Sequence, residues 1–345
     1  MSAKPLSPEF QSLLDLAISS SKQRYTEKES VKNTVFFIGN KGGGKSTLIN
    51  LLLDRNENTK PTLAMDYYFA RRSSRSLWSD VCHIFELGGG TMYTDLLTAP
   101  ISTASVEHLT IFLILDLSRP SEMWDTIECV ASDVRKLVTT AAKTEYKVSQ
   151  IKEAAKARLG QNFEGEPFIE PFLVPLVIIG TKYDVFETFD SEKKNVICRC
   201  LRFAALSLGA SLYFSTTKDA AVLKKIREML VVQSFETQSP KYTCQDVSKP
   251  LAIPCGKDSV QLIGGPGTTV NFKNSVTALT RWKQTCMALY PNDEKATVAI
   301  DVDPTRDPNY FEPEIDSLRE QKDVELDKYK QQVFYNRRRD GKKEP

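Results

Sequence analysis

Gly39-Asn40-Lys41-Gly42-Gly43-Gly44-Lys45-Ser46 decides the reading of this chain. The octet fits GxxxxGKS/T. It stands between Thr34–Ile38, a β-branched and aromatic run that predicts a strand, and Thr47–Leu53, a leucine-rich run that predicts a helix. Strand, glycine turn and helix in that order are the context the motif requires. Successive glycines let the backbone turn its N–H groups inward around phosphate oxygens, and the helix N-terminus adds a partial positive charge. Gly39, Asn40, Lys41, Gly42, Gly43, Gly44, Lys45, Ser46 and Thr47 therefore read as a phosphate cradle. Lys45 is expected to bridge β- and γ-phosphates, and Ser46 to ligate Mg²⁺.

Outward from the loop, Thr62–Phe69, Val81–Leu87, Leu109–Leu117, Leu173–Ile179 and Ala210–Phe214 are apolar runs alternating with helical stretches. That alternation predicts an α/β fold with a mostly parallel central sheet flanked by helices. Its central strands read as continuous hydrophobic runs because both faces are covered. In the long helical stretch Ser121–Leu159, Met123, Ile127, Val130, Val134, Leu137 and Ala141 step by three and four, so its first half should dock on the sheet. Beyond Ala142 the stripe gives way to Lys, Glu and Gln, which predicts a portion that projects or packs on a partner. Residues 1–30 read as a short helix and a polar linker, and residues 31–233 as the nucleotide domain. Residues 234–345, broken by Pro and Gly, read as an irregular wrapping segment with helices near 276–290 and 314–332 and a basic tail.

Composition narrows the function classes. Hydrophobic residues make up 41% and charged residues 26% of 345, the balance of a soluble globular protein rather than a disordered or collagen-like one. Forty-six Lys and Arg against 44 Asp and Glu leave a net charge of +2. The only dense basic cluster, Arg337, Arg338, Arg339, Lys342 and Lys343, reads as a solvated terminus. A nucleic-acid partner, which needs a basic stripe, is not expected. The seven cysteines include no CxxC pair and read as free thiols of a reducing compartment. His83 and His108 have no metal-binding spacing and read as structural. No secretory leader is expected, and no apolar run is long enough for a membrane span.

Three further motifs address the choice of nucleotide. Pro61-Thr62 opens the run Thr62–Phe69, Thr181-Lys182-Tyr183-Asp184 follows the run ending at Gly180, and Ser215-Thr216-Thr217-Lys218 follows Leu212–Phe214. In this order residues 31 to about 233 resemble Ras-like GTPases with a P-loop fold. The resemblance implies that Asp184 accepts the two guanine N–H donors, with Thr181, Lys182, Thr216, Thr217 and Lys218 around the base. The implied cofactor is GTP or GDP with Mg²⁺ held by Ser46, Thr62 and Glu86. Two departures predict slow turnover. Glu86-Leu87-Gly88-Gly89 replaces DxxG, and Gly90 stands where those enzymes carry a water-positioning Gln. No residue is assigned as catalytic. Arg71 and Arg72 lie near the switch region. An active GTPase switch regulating a transport complex is the alternative reading.

Four blocks go beyond generic GTPases: Phe85–Gly90, Val174–Phe186, Arg306–Tyr310 and Gln321–Lys330. Together they resemble the dynein light intermediate chain family, in its cytoplasmic dynein 2 branch, from about Val35 to Lys330. The resemblance implies a non-catalytic accessory subunit that binds and stabilises the dynein 2 heavy chain for retrograde intraflagellar transport and cilium assembly. The implied partners are that heavy chain and the other dynein 2 subunits, with intraflagellar transport particles reached indirectly and microtubules through the heavy chain. The implied locations are the cytoplasm, the cytoskeleton and the cilium with its axoneme and basal body.

Overall fold

In the computed structural model the described residues are 32–72, 80–103, 106–142, 145–160, 169–235, 242–264, 275–290 and 312–340. Strand β1 (Lys32–Gly39) runs through the middle of the sheet, with Val35, Phe36, Phe37 and Ile38 all buried. It pairs in parallel with β3 (Asp80–Leu87) on one side and β4 (Leu109–Asp116) on the other. Every residue of β4 is buried, as its uninterrupted apolar run requires when helices cover both faces. Parallel strands β5 (Leu176–Thr181) and β6 (Ser211–Phe214) follow. With β2 (Met65–Arg72) and β7 (Ala252–Ile253) at the edges, the full order is β2-β3-β1-β4-β5-β6-β7.

The two outer strands are antiparallel. β2 (Met65–Arg72) lies along β3 at the edge, starting three residues later than the run Thr62–Phe69 and continuing to Arg72. Tyr67 and Phe69 on it are 52% and 50% exposed, the mark of an edge strand with one uncovered face. At the other edge β7 (Ala252–Ile253) pairs with β6.

Helices α1 (Lys45–Leu53) and α7 (Ala220–Ser234) cover one face, where Leu48, Ile49, Ile226, Met229 and Leu230 meet Val35, Phe37, Phe112 and Ile179. Asp219 caps α7 by accepting from the Ala221 N–H at 2.8 Å, satisfying a donor the helix leaves free. The other face is covered by α3 (Pro120–Ala141) and α6 (Ser191–Leu208), whose Met123, Ile127, Val134, Leu201 and Phe203 join Phe36, Ile111 and Ile178. The short α2 (Thr98–Thr103) precedes β4, and α5 (Tyr183–Phe186) follows β5 directly.

Two expectations change. The stretch Ser121–Leu159 is two helices, α3 and α4 (Glu145–Leu159), and the second is anchored rather than projecting. Ala155 and Leu159 on α4 are buried, and Arg158 Nη2 donates to the Phe172 and Leu173 carbonyls at 2.7 and 3.0 Å. The polar residues that hid this docking occupy its outer face. The chain also divides into compact units Met1–Asn292 and Asp293–Pro345, so β7, α8 (Val260–Ile263) and α9 (Ser275–Leu289) belong with the sheet. Trp282 of α9 is buried and stacks on Phe203 of α6 with ring centroids 5.3 Å apart. Arg202 and Asp258, both buried, form a two-point ion pair at 2.7 Å that fixes the loop before α8. The second unit carries α10 (Pro313–Asp340), a 28-residue helix longer than the expected 314–332. The predicted helix within residues 1–30, the side chains of Arg337–Arg339, and Lys342 and Lys343 lie outside the described residues.

Candidate nucleotide-binding site

The glycine loop leaves the C-terminal end of β1, beside the ends of β4 and β5, where open α/β sheets place their ligands. Gly39 must be glycine: a Cβ there would lie 2.0 Å from the Ile114 carbonyl of β4. Gly44 enters α1 with φ 89, a left-handed conformation that glycine adopts without strain. The Gly43 N–H donates to the Asn40 carbonyl at 3.1 Å. Lys45 is buried, and its Nζ donates to the Gly39 and Asn40 carbonyls, each at 2.9 Å. Burial lowers its pKa, and the nearby Glu86 carboxylate opposes that shift. Lys41, Gly42 and Thr47 are exposed around this core. Asn40 adds an anchor the sequence did not disclose. Its Nδ2 donates to Glu122 Oε2 at 2.8 Å and its Oδ1 accepts from Thr126 Oγ1 at 2.7 Å, tying the loop to α3.

The three residues assigned to Mg²⁺ meet at one point. Ser46 Oγ donates to Glu86 Oε1 at 2.6 Å. Glu86 is 1% exposed, and burial raises its pKa against the opposing pull of Ser46, Lys45 and Thr62. Glu86 Oε2 and Thr62 Oγ1 are both buried without a hydrogen bond of ordinary geometry. Two buried oxygens without a well-formed hydrogen bond, beside a serine hydroxyl, suit a hard divalent cation that takes oxygen ligands. Gly88 holds the Thr62 segment in place: its N–H donates to the Ala64 carbonyl at 2.7 Å, and a Cβ on it would come within 2.3 Å of the Thr62 carbonyl. Among the described residues no group of three or more His, Cys, Asp or Glu is set to hold a metal by itself.

On the other flank, Thr181 Oγ1 donates to the Gly43 carbonyl at 2.6 Å, with the Leu115 carbonyl 3.1 Å away. Lys182, at φ 57, sends its ammonium to the buried Asp116 carboxylate, which also accepts from the Ser118 N–H and hydroxyl. Burial pushes the Asp116 pKa up, and the hydrogen bonds from Lys182 and Ser118 outweigh it and hold it below the usual value. Sequence reading missed Asp116. Its one signal was an acid closing the apolar run that became β4. Asp184 stands at the mouth of the site, where its Oδ2 pairs with Lys218 Nζ at 2.7 Å and its Oδ1 accepts from Thr216 Oγ1 at 3.2 Å. These bonds, Lys218 first, lower its pKa and keep it an ionised acceptor. Thr217 is exposed beside it.

The hydrolytic side is sparse. Gly90, at φ 73, offers no side chain to orient water, and a Cβ on it would lie 3.7 Å from the Lys41 nitrogen. Arg71 and Arg72 pair with Val81 and Asp80 on β3. They lie roughly 17–20 Å along that strand from Glu86, at about 3.3 Å per residue, and cannot reach a phosphate held by the loop. Arg71 instead sits over the Phe69 ring, 5.4 Å from its centroid.

A model of the dynein light intermediate chain (DLIC) family matches residues 9–171. Cytoplasmic dynein 2 light intermediate chain 1 of Homo sapiens is 42% identical over 311 residues, covering 88% of each chain. That of Danio rerio is 39% identical over 87% of this chain and 86% of the relative. The chain belongs to the dynein light intermediate chain family. A crystal structure of the conserved domain of the dynein light intermediate chain superimposes on it with a TM-score of 0.55 at 14% identity, covering 68% of this light intermediate chain and 85% of that one. The shared fold is the Ras-like P-loop architecture. A more distant relative, septum-promoting GTP-binding protein 1 of Schizosaccharomyces pombe, is 23% identical over 65% of this chain and 94% of its own length. Among the described residues no helix is long and apolar enough to cross a membrane.

Proposed function

We propose that this light intermediate chain is a non-catalytic accessory subunit of the cytoplasmic dynein 2 motor complex. In this reading it binds and stabilises the heavy chain for retrograde intraflagellar transport and cilium assembly, and it retains a guanine-nucleotide pocket. The observation that carries the reading is identity of 39–42% to named dynein 2 light intermediate chains along nearly the whole of both sequences. The heavy chain supplies the ATPase and the microtubule contact. The other dynein 2 subunits and, indirectly, intraflagellar transport particles are the further partners, in cytoplasm, cytoskeleton and cilium.

In the pocket, the glycine-loop N–H groups and Lys45 bind the phosphates, and Asp184, oriented by Thr216 and Lys218, accepts guanine N–H donors. Ser46, Thr62 and Glu86 hold Mg²⁺, which neutralises phosphate charge when bound. Among the described residues, Gly90 and the remote Arg71 and Arg72 supply no group that positions an attacking water. This favours a nucleotide that stabilises the fold by mass action over one that cycles. The name of the GTP-binding relative supports the choice of guanine.

Co-expression of the full chain with the dynein 2 heavy-chain tail tests the subunit reading. The two should co-elute in size-exclusion chromatography, and the soluble yield of the tail should rise. Separate elution with unchanged yield contradicts it.

A further inference from the structure

Helix α10 carries a row of exposed apolar side chains along one face. Ile315, Leu318, Lys322, Leu326, Tyr329 and Val333 follow each other at steps of 3, 4, 4, 3 and 4 residues. At 3.6 residues per turn they fall within a sector of about 80°. Ile315, Leu318, Leu326 and Tyr329 are 59%, 57%, 49% and 64% exposed. The pattern repeats every 11 residues, so it stays on one face of a nearly straight helix instead of drifting around it.

The charges beside the stripe single out its occupant. Glu314 and Glu325 each directly precede a first stripe position, Ile315 and Leu326. Arg319 and Lys330 each directly follow a second one, Leu318 and Tyr329. The positions that border the stripe are therefore acidic on one side, at Glu314 and Glu325, and basic on the other, at Arg319 and Lys330, with Asp316, Asp323 and Asp327 lying farther from the seam, and each of these two acids stands five residues before a base. In a parallel, in-register pair of helices the acidic flank of each meets the basic flank of the other at this offset, as g and e positions do in coiled coils. An antiparallel pair would set acid against acid and base against base.

We propose that α10 pairs with α10 of a second copy of this chain as a parallel two-stranded coil. Glu314 meets Arg319, and Glu325 meets Lys330, across the interface, twice each by symmetry. Lys322 lays its stem along the seam and turns its ammonium outward to Glu325 Oε2 at 2.7 Å, a placement that long cationic side chains favour. Lys330 is paired with Asp327 at 3.4 Å. Exposed contacts of this kind within one helix are weak and give way to the cross-helix pairs.

Sedimentation of the full chain over a concentration series tests the proposal. The wild type should shift from monomer toward dimer as concentration rises. Glu314→Lys with Glu325→Lys makes both flanks basic, and Arg319→Glu with Lys330→Glu makes both acidic. Each double variant should weaken dimerisation at least about tenfold, and an equimolar mixture should restore it. Under glutathione disulfide, two Leu318→Cys thiols should yield one intermolecular disulfide and two glutathiones, faster than wild type, whereas Val324→Cys on the opposite face should not. The proposal is overturned by a wild type that stays monomeric, by charge variants that dimerise like wild type or fail to rescue each other, or by cross-linking as fast at 324 as at 318. A stripe substitution that releases a different subunit from a monomeric chain assigns the face to that subunit and also overturns it.

Discussion

Thr181 Oγ1 donates a hydrogen bond to the Gly43 carbonyl at 2.6 Å across 138 residues of sequence. The bond ties the Thr181–Asp184 segment directly to the glycine loop through a buried hydroxyl. Thr181→Val keeps the shape and removes the donor, leaving a buried carbonyl unpaired. A loss of about 1–3 kcal/mol is expected, read by urea unfolding, together with weaker nucleotide retention. A fully stable variant that retains nucleotide would show that the link is dispensable.

The Lys182–Asp116 pair predicts a pH signature. The folded-state pKa of Asp116 is depressed, so its contribution is present above the ordinary carboxylate value and is lost as pH falls through the folded value. Asp116→Asn should therefore be less stable than wild type at neutral pH, with the gap closing as the solution is acidified. A gap that does not change with pH would contradict the account.

Glu86 predicts the opposite sign for the empty protein. Its pKa is raised by burial, so its ionised form opposes folding, and stability falls as pH rises from the ordinary Glu value through the raised one. Glu86→Gln should melt at least as high as wild type in EDTA with no nucleotide. It should also lose most of the extra stability that Mg²⁺ confers in the presence of GTP. An undiminished Mg²⁺ effect would remove Glu86 from the metal site.

Trp282 tests whether the chain beyond residue 234 is part of the sheet unit. It is 2% exposed and stacked on Phe203, so Trp282→Ala should cost roughly 3–5 kcal/mol within one cooperative urea transition. An early, separate transition would mean that α9 is an independent appendage.

The octet at residues 39–46 and the apolar runs made the α/β order legible, because a parallel sheet writes itself as continuous hydrophobic strands. Ser46, Thr62 and Glu86 were legible as a set only through motif order, since nothing local to them reveals that they converge. Asp116, Asn40, Glu122 and Thr126 were not legible, because each acts on residues 66 to 86 positions away. The docking of α4 was hidden for a different reason. A helix that buries only one narrow edge, as α4 does with Ala155 and Leu159, reads as polar. Arg71 and Arg72 looked close to the switch region along the chain, and the antiparallel turn of β2 carries them to the far end of the sheet.

The most direct test of a retained, slowly turning nucleotide site is to purify the full chain under native conditions, denature it, and identify the released nucleotide by chromatography. The account predicts near-stoichiometric guanine nucleotide, chiefly GTP, and none from Lys45→Ala. GDP alone would show turnover and favour the switch. A protein that releases nothing, and whose melting temperature does not move with added GTP and Mg²⁺, would contradict the account and leave the glycine loop as only a turn.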